Sequence, residues 1–129
     1  MAYVELTKEN FEEVITNNDT VVVDYWADWC GPCKSFGPVF EKVTEDFSDA
    51  VFAKVEPQKE QEIASCFQIR SIPTLMIFRE KGVVFSQPGA LPEGALREVV
   101  SKAENLDMVE VHKQVAQQQA AQEKQAPRA

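Results

Sequence analysis

Six consecutive residues, Val21-Val22-Val23-Asp24-Tyr25-Trp26, are β-branched or aromatic at every position but one. Successive strand residues point to opposite faces, so a strand of this composition suits the centre of a sheet covered on both sides. The flanking sequence supplies the covering layers. Phe11, Val14 and Ile15 recur at helical spacing behind Thr7, which can cap a helix by accepting a free N–H, and Asn17-Asn18-Asp19 ends that helix. Phe36, Val39, Phe40, Val43 and Phe47 mark a second helix, with Pro38 inside it. Ile63, Ala64 and Phe67 mark a short third helix opened by Pro57. Leu96, Val99, Val100 and Ala103 mark a last one, with Pro92 in its first turn. Further strands are read at Tyr3–Leu6, Val51–Val55 and Thr74–Phe78, with Val83–Phe85 returning as a hairpin partner across Glu80-Lys81-Gly82. The order β-α-β-α-β-α-β-β-α predicts an α/β fold, a central mixed β-sheet flanked by helices on both faces.

At 129 residues the chain holds one domain with a proper core. With 13 Lys+Arg against 21 Asp+Glu, 13 − 21 gives a net charge of −8, which argues against nucleic acid and anionic membrane as partners. No apolar run reaches the ~18–20 residues of a membrane span, and Met1 to Glu5 has neither the basic nor the apolar part of a signal peptide. The expectation is a cytoplasmic monomer in a reducing compartment. Three cysteines cannot close a disulfide framework, so cysteine chemistry here should be reactive. Periodicity weakens near Leu106, and Lys113 to Ala129 contains six Gln and five Ala. The division is a domain over 1–105 and a Gln/Ala-rich extension over 106–129, either disordered or helical as a continuation of the last helix.

Cys30-Gly31-Pro32-Cys33 stands where the central strand hands over to a helix. The free N–H groups and positive end of that helix stabilise a thiolate on the first cysteine. Residues three apart share a helix face, so the two sulfurs can close a disulfide with little backbone movement, and Pro32 stiffens the turn. Cys30 is expected to be the exposed nucleophile and Cys33 the more buried resolving thiol. A zinc site would need four ligands, and only Cys66 and His112 stand beside the pair, so no metal is expected. Asp24 interrupts an apolar strand; burying it raises its pKa and poises it to exchange protons, or else it forms a core salt bridge with Lys54. Cys66 reads as a partly buried, inert thiol and His112 as solvated.

The segment Val22 to Lys34, containing Trp29-Cys30-Gly31-Pro32-Cys33, closely resembles the active-site segment of thioredoxins, and Ser71-Ile72-Pro73-Thr74 with Gly89 resembles that family's second signature. The resemblance implies the thioredoxin fold and a cytosolic protein-disulfide reductant. It would have no bound cofactor, disulfide-containing proteins as substrates, and recharging from NADPH through a thioredoxin reductase. It further implies that Asp24 serves Cys33 as proton acceptor and donor, and that Pro73 is a cis-proline facing the disulfide. Trp29, Gly31, Pro32, Ile72, Pro73 and Gly89 would form the rim on which a target lies, with Trp26 packed beneath. Two departures stand out: Val55-Glu56-Pro57-Gln58 replaces the usual Asp-bearing strand end, and Ser35 a larger apolar residue. Two other functions remain open. One is an oxidase or isomerase of the same fold, although such relatives usually carry His between the cysteines and an export signal. The other is a partner-binding module with an incidental dithiol, for which Leu106, Val109 and Val115 would supply a helical face.

Overall fold

A computed structural model describes residues 3–125. Five strands form one sheet: β1 (Val4–Glu5), β2 (Thr20–Tyr25), β3 (Val51–Val55), β4 (Thr74–Arg79) and β5 (Gly82–Pro88), in the order β1-β3-β2-β4-β5. β3 pairs parallel with both β1 and β2, whereas β4 pairs antiparallel with β2 and β5, so the sheet is mixed as expected.

The apolar run anticipated as a central strand is β2, and every residue of it is buried. Alternation divides its side chains between two cores. Val21, Val23 and Tyr25 pack with Ile15 of α1 (Phe11–Asn17) and Ile63 of α3 (Gln61–Cys66). On the opposite face Val22 packs with Phe36, Phe40 and Val43 of α2 (Gly31–Thr44) and with Leu96 and Val100 of α4 (Glu93–Glu104). Each large apolar side chain buried this way contributes roughly 1.5–3 kcal/mol. Asp24, two residues after Val22, lies on the face covered by α2.

The ends of the elements show why they stop where they do. Thr7 Oγ1 accepts from Asn10 N–H while Asn10 Oδ1 accepts from Thr7 N–H, a reciprocal cap one turn ahead of α1. Pro57 opens a turn, not a helix; α3 begins only at Gln61. Pro92 caps α4 from just outside it. Arg79 is buried at the end of β4 and donates from Nη1 to the carbonyls of Ala103 and Glu104, so a cation meets the negative end of α4.

The extension corrects one expectation. The last helix does not run on; it stops at Glu104, and a separate α5 spans Met108–Gln125. Asp107 is the reason: its side chain accepts from Glu110 N–H at 3.2 Å and its carbonyl from Val111 N–H at 3.0 Å, which starts a new helix. The first turn of α5 is anchored by buried Met108, but from His112 to Gln122 every side chain is exposed. His112 is not simply solvated, since its Nε2 lies 3.0 Å from Glu80 Oε1 at the β4–β5 turn. Residues 126–129 of the extension, like Met1 and Ala2, lie outside the described residues. No helix among the described residues is long and apolar enough to cross a membrane.

Candidate active site

The end of β2 leads through Trp26 to Trp29 into the first turn of α2, and this handover places the two cysteines. Cys30 is the cap residue of α2, with extended backbone (φ −91°, ψ 113°), and its carbonyl already accepts from Lys34 N–H. Cys30 and Cys33 are disulfide-bonded, with Cα atoms 5.2 Å apart. Cys33 N–H points at Cys30 Sγ from 3.2 Å. A helix N-terminus therefore offers a donor to this sulfur, as a stabilised thiolate requires.

Exposure differs from expectation. Cys30 is 5% exposed and Cys33 3%, so the cysteine expected to be the exposed one is scarcely more open than its partner in the disulfide form. Cys30 Sγ lies 3.8 Å from the carbonyl oxygen of Ile72, which roofs it from the facing loop, and half-buried Trp26 packs against the cluster of Ala27, Cys30 and Cys33. The Ile72–Pro73 peptide is cis. Gly89 N–H donates to Pro73 O at 2.8 Å, and its φ of +98° is one that side chains with a Cβ rarely adopt. Ile72 thus meets Cys30, and Gly89 is held against the carbonyl of Pro73, the residue after Ile72. Trp29 is 66% exposed, and Gly31 and Pro32 are also on the surface, whereas Pro73 is buried and contributes its backbone surroundings more than a side-chain face.

Trp29 and Ile72 line an open groove of about 370 Å³ together with Pro57, Gln58, Ile69 and Arg70. Sequence reasoning flagged residues 55–58 only as a departure and did not bring Ile69 and Arg70 to the site. Their position just before Ser71-Ile72-Pro73 was the available signal, since a loop facing the disulfide carries its approach residues with it.

Asp24 is 1% exposed, and neither carboxylate oxygen has a hydrogen-bond partner among the described residues. Burial pushes its pKa from 3.8 up to about 7, against the opposing pull of the Lys54 ammonium. The alternative reading of Asp24, a core salt bridge to Lys54, is not what the structure shows. Lys54 is the register neighbour of Asp24 on β3, yet its Nζ pairs with Glu41 Oε1 at 3.7 Å and lies over the rings of Tyr3 and Trp26. Cys66 also departs from expectation: at the end of short α3 it is exposed, not partly buried.

Comparison with known proteins was made against this geometry. A family model described as Thioredoxin matches residues 2–102. A provisionally named thioredoxin 2 from Streptomyces coelicolor is 59% identical over 117 residues, covering 91% of this chain and 87% of that one. A thioredoxin from Mycoplasmoides gallisepticum is 40% identical over 93 residues, 72% of this chain and 93% of its own. Among solved structures, a mutant thioredoxin from Halobacterium salinarum superposes with a TM-score of 0.74 at 33% identity, covering 80% of this chain and 91% of that one.

Proposed function

The chain belongs to the thioredoxin family, and on that premise we propose how its residues divide the work of a protein-disulfide oxidoreductase acting by thiol–disulfide exchange. In the reduced protein the Cys30 thiolate attacks one sulfur of a target disulfide. A mixed disulfide forms, and the target's other sulfur leaves as a thiolate. Asp24 takes the proton of Cys33. The Cys33 thiolate then attacks Cys30 Sγ, closing the Cys30–Cys33 bond and releasing the second target thiolate. Two electrons pass to the target, and the intramolecular disulfide is the oxidised product.

The observation that carries this reading is a disulfide at the N-terminus of α2, the helix that covers the sheet face on which a buried, unpartnered carboxyl lies. The donor that Cys33 N–H presents to Cys30 favours the thiolate at Cys30, which makes it the attacking sulfur. Trp29, Gly31, Pro32, Ile72, Pro73 and Gly89 form the platform for an extended target segment, and Lys54 acts on Asp24 through its charge. The disulfide is recharged from NADPH by a separate reductase, with no group bound to this chain. The setting is the cytoplasm, and the working unit is a monomer whose domain is 1–105.

Trapping tests the assignment. A Cys33→Ser variant incubated with a disulfide-bonded target is expected to accumulate a covalent complex on non-reducing electrophoresis, and Cys30→Ser to accumulate none. Trapping by Cys30→Ser instead would reverse the roles and defeat the reading. The domain boundary has its own test. A chain ending at Asn105 retains the Arg79 cap on α4 and is expected to reduce insulin at the full-length rate. Loss of turnover on truncation would make α5 part of the mechanism.

A further inference from the structure

The site contains a cation that is near the proton carrier without touching it. Asp24 and Lys54 are paired residues of the parallel β2–β3 ladder, so their side chains leave the sheet on the same face. Side chains so placed ordinarily meet, and a buried carboxylate next to a lysine is the usual occasion for an ion pair. Here the Lys54 ammonium is occupied elsewhere. It lies 3.7 Å from Glu41 Oε1, 4.4 Å from the centre of the Tyr3 ring and 5.5 Å from that of Trp26. An ammonium over aromatic faces is held by the ring quadrupoles, and the more strongly where water is excluded; Lys54 is only 9% exposed. Asp24 is left with both oxygens unpartnered.

We propose that Glu41 is a positioning residue: with the rings of Tyr3 and Trp26 it holds the Lys54 ammonium off Asp24, leaving that carboxyl unpartnered and able to take the proton of Cys33. This rests on the assignment of Asp24 as proton acceptor given above. An opposite charge in contact pulls a carboxyl pKa down by about 1–3 units. A paired Asp24 would therefore be ionised well below neutrality and would be the weaker base. The tether keeps enough of the positive charge nearby to moderate the effect of burial, and no more.

The other charged and titratable groups around the pair are few. α2 contributes Glu41 and Cys33. β1 and the residue before it contribute Glu5 and Tyr3. The segment after β3 contributes Glu56, Lys59 and Glu60, which line a small cavity together with Lys54 and Trp26. β4 opposes Asp24 with Leu75, which carries no charge. Of the carboxylates in this set, Glu41 is the one in ion-pair contact with the ammonium.

The decisive measurement is a carbon-detected NMR titration of the Asp24 carboxyl in the oxidised full-length protein. The wild type should titrate near 7. Glu41→Gln, a nearly isosteric change at a half-exposed position, is expected to lower that midpoint by about one unit as the released ammonium reaches Asp24. A Lys54→Met background separates this from the direct loss of the Glu41 charge, because there Glu41→Gln should leave the Asp24 midpoint unmoved. The proposal is overturned if Glu41→Gln leaves the midpoint where it was, or if the fall is the same size with Met at position 54. The pH profile of turnover is the second readout, and its acid limb should move down with the midpoint in Glu41→Gln. If Asp24→Asn leaves that profile unchanged, the assignment of Asp24 fails, while the titration still decides whether Glu41 restrains Lys54.

Discussion

With Ser in place of Cys30, dithiothreitol-driven reduction of insulin is expected to proceed at the rate of dithiothreitol alone, whereas the wild type accelerates it severalfold or more. The loss should be complete because no other group can substitute. A serine hydroxyl is not ionised near neutral pH and cannot form the mixed disulfide through which exchange proceeds. Cys33 stands inside the first turn of α2, and the N–H donor at that helix start is directed at Cys30 Sγ, so Cys33 lacks the stabilised thiolate that attack requires. Cys66 is exposed, but it lies on α3 outside the helix N-terminus that favours a thiolate, with no second cysteine to resolve an adduct. Cys66→Ser should accordingly leave turnover intact. Residual activity in Cys30→Ser that disappears on adding Cys66→Ser would show a second reactive centre and refute this account.

Removing the charge of Asp24 is expected to make the oxidised protein more stable and a poorer catalyst. Its folded pKa of about 7 lies above the unfolded value of 3.8, so the folded state holds the proton more tightly. Stability therefore falls as pH rises from about 4 to about 7, and above that the full penalty of burying the charge is present. A shift of about three units corresponds to ~4 kcal/mol. Asp24→Asn should raise the unfolding free energy at pH 8 by ~2–4 kcal/mol, less than the full figure because the amide is itself buried without partners. Below pH 4 both states of the wild type are protonated, and the gain should vanish. Denaturant unfolding at pH 8 and pH 3.5 checks this, and equal effects at the two values would contradict it. The same variant should lose about tenfold in turnover at neutral pH, less than the usual hundredfold or more for removal of a proton acceptor, since Cys33 retains its intrinsic acidity.

The sheet and its four covering helices were legible because β2 is apolar on both faces and the helices carry stripes at three- and four-residue spacing. The dithiol was legible from four adjacent residues. What escaped was set by contacts distant in sequence. The depth of Cys30 depends on Ile72, forty-two residues away, and the freedom of Asp24 on Glu41 and Tyr3 drawing Lys54 aside. Nothing local to Asp24 or Lys54 reveals that competition. The start of α5 was different: Asp107, with Glu110 three residues on, is a cap pattern in plain view, overlooked because good helix formers on both sides suggested one continuous helix. Cys66 lies outside both motifs, so no sequence pattern indicates its exposure, and the short α3 turns it outward.

The disulfide joins residues only three apart in sequence. In chain-entropy terms a cross-link restrains the unfolded chain in proportion to the logarithm of the loop it closes. A loop this small is worth about 2 kcal/mol, against about 4.7 for one of a hundred residues. The native state accordingly depends less on the bond that the protein trades away than it would on one closing a long loop. Reduced and oxidised forms can share one fold through every cycle, whereas a bridge from β2 to β4 would have tied the survival of the catalyst to its redox state.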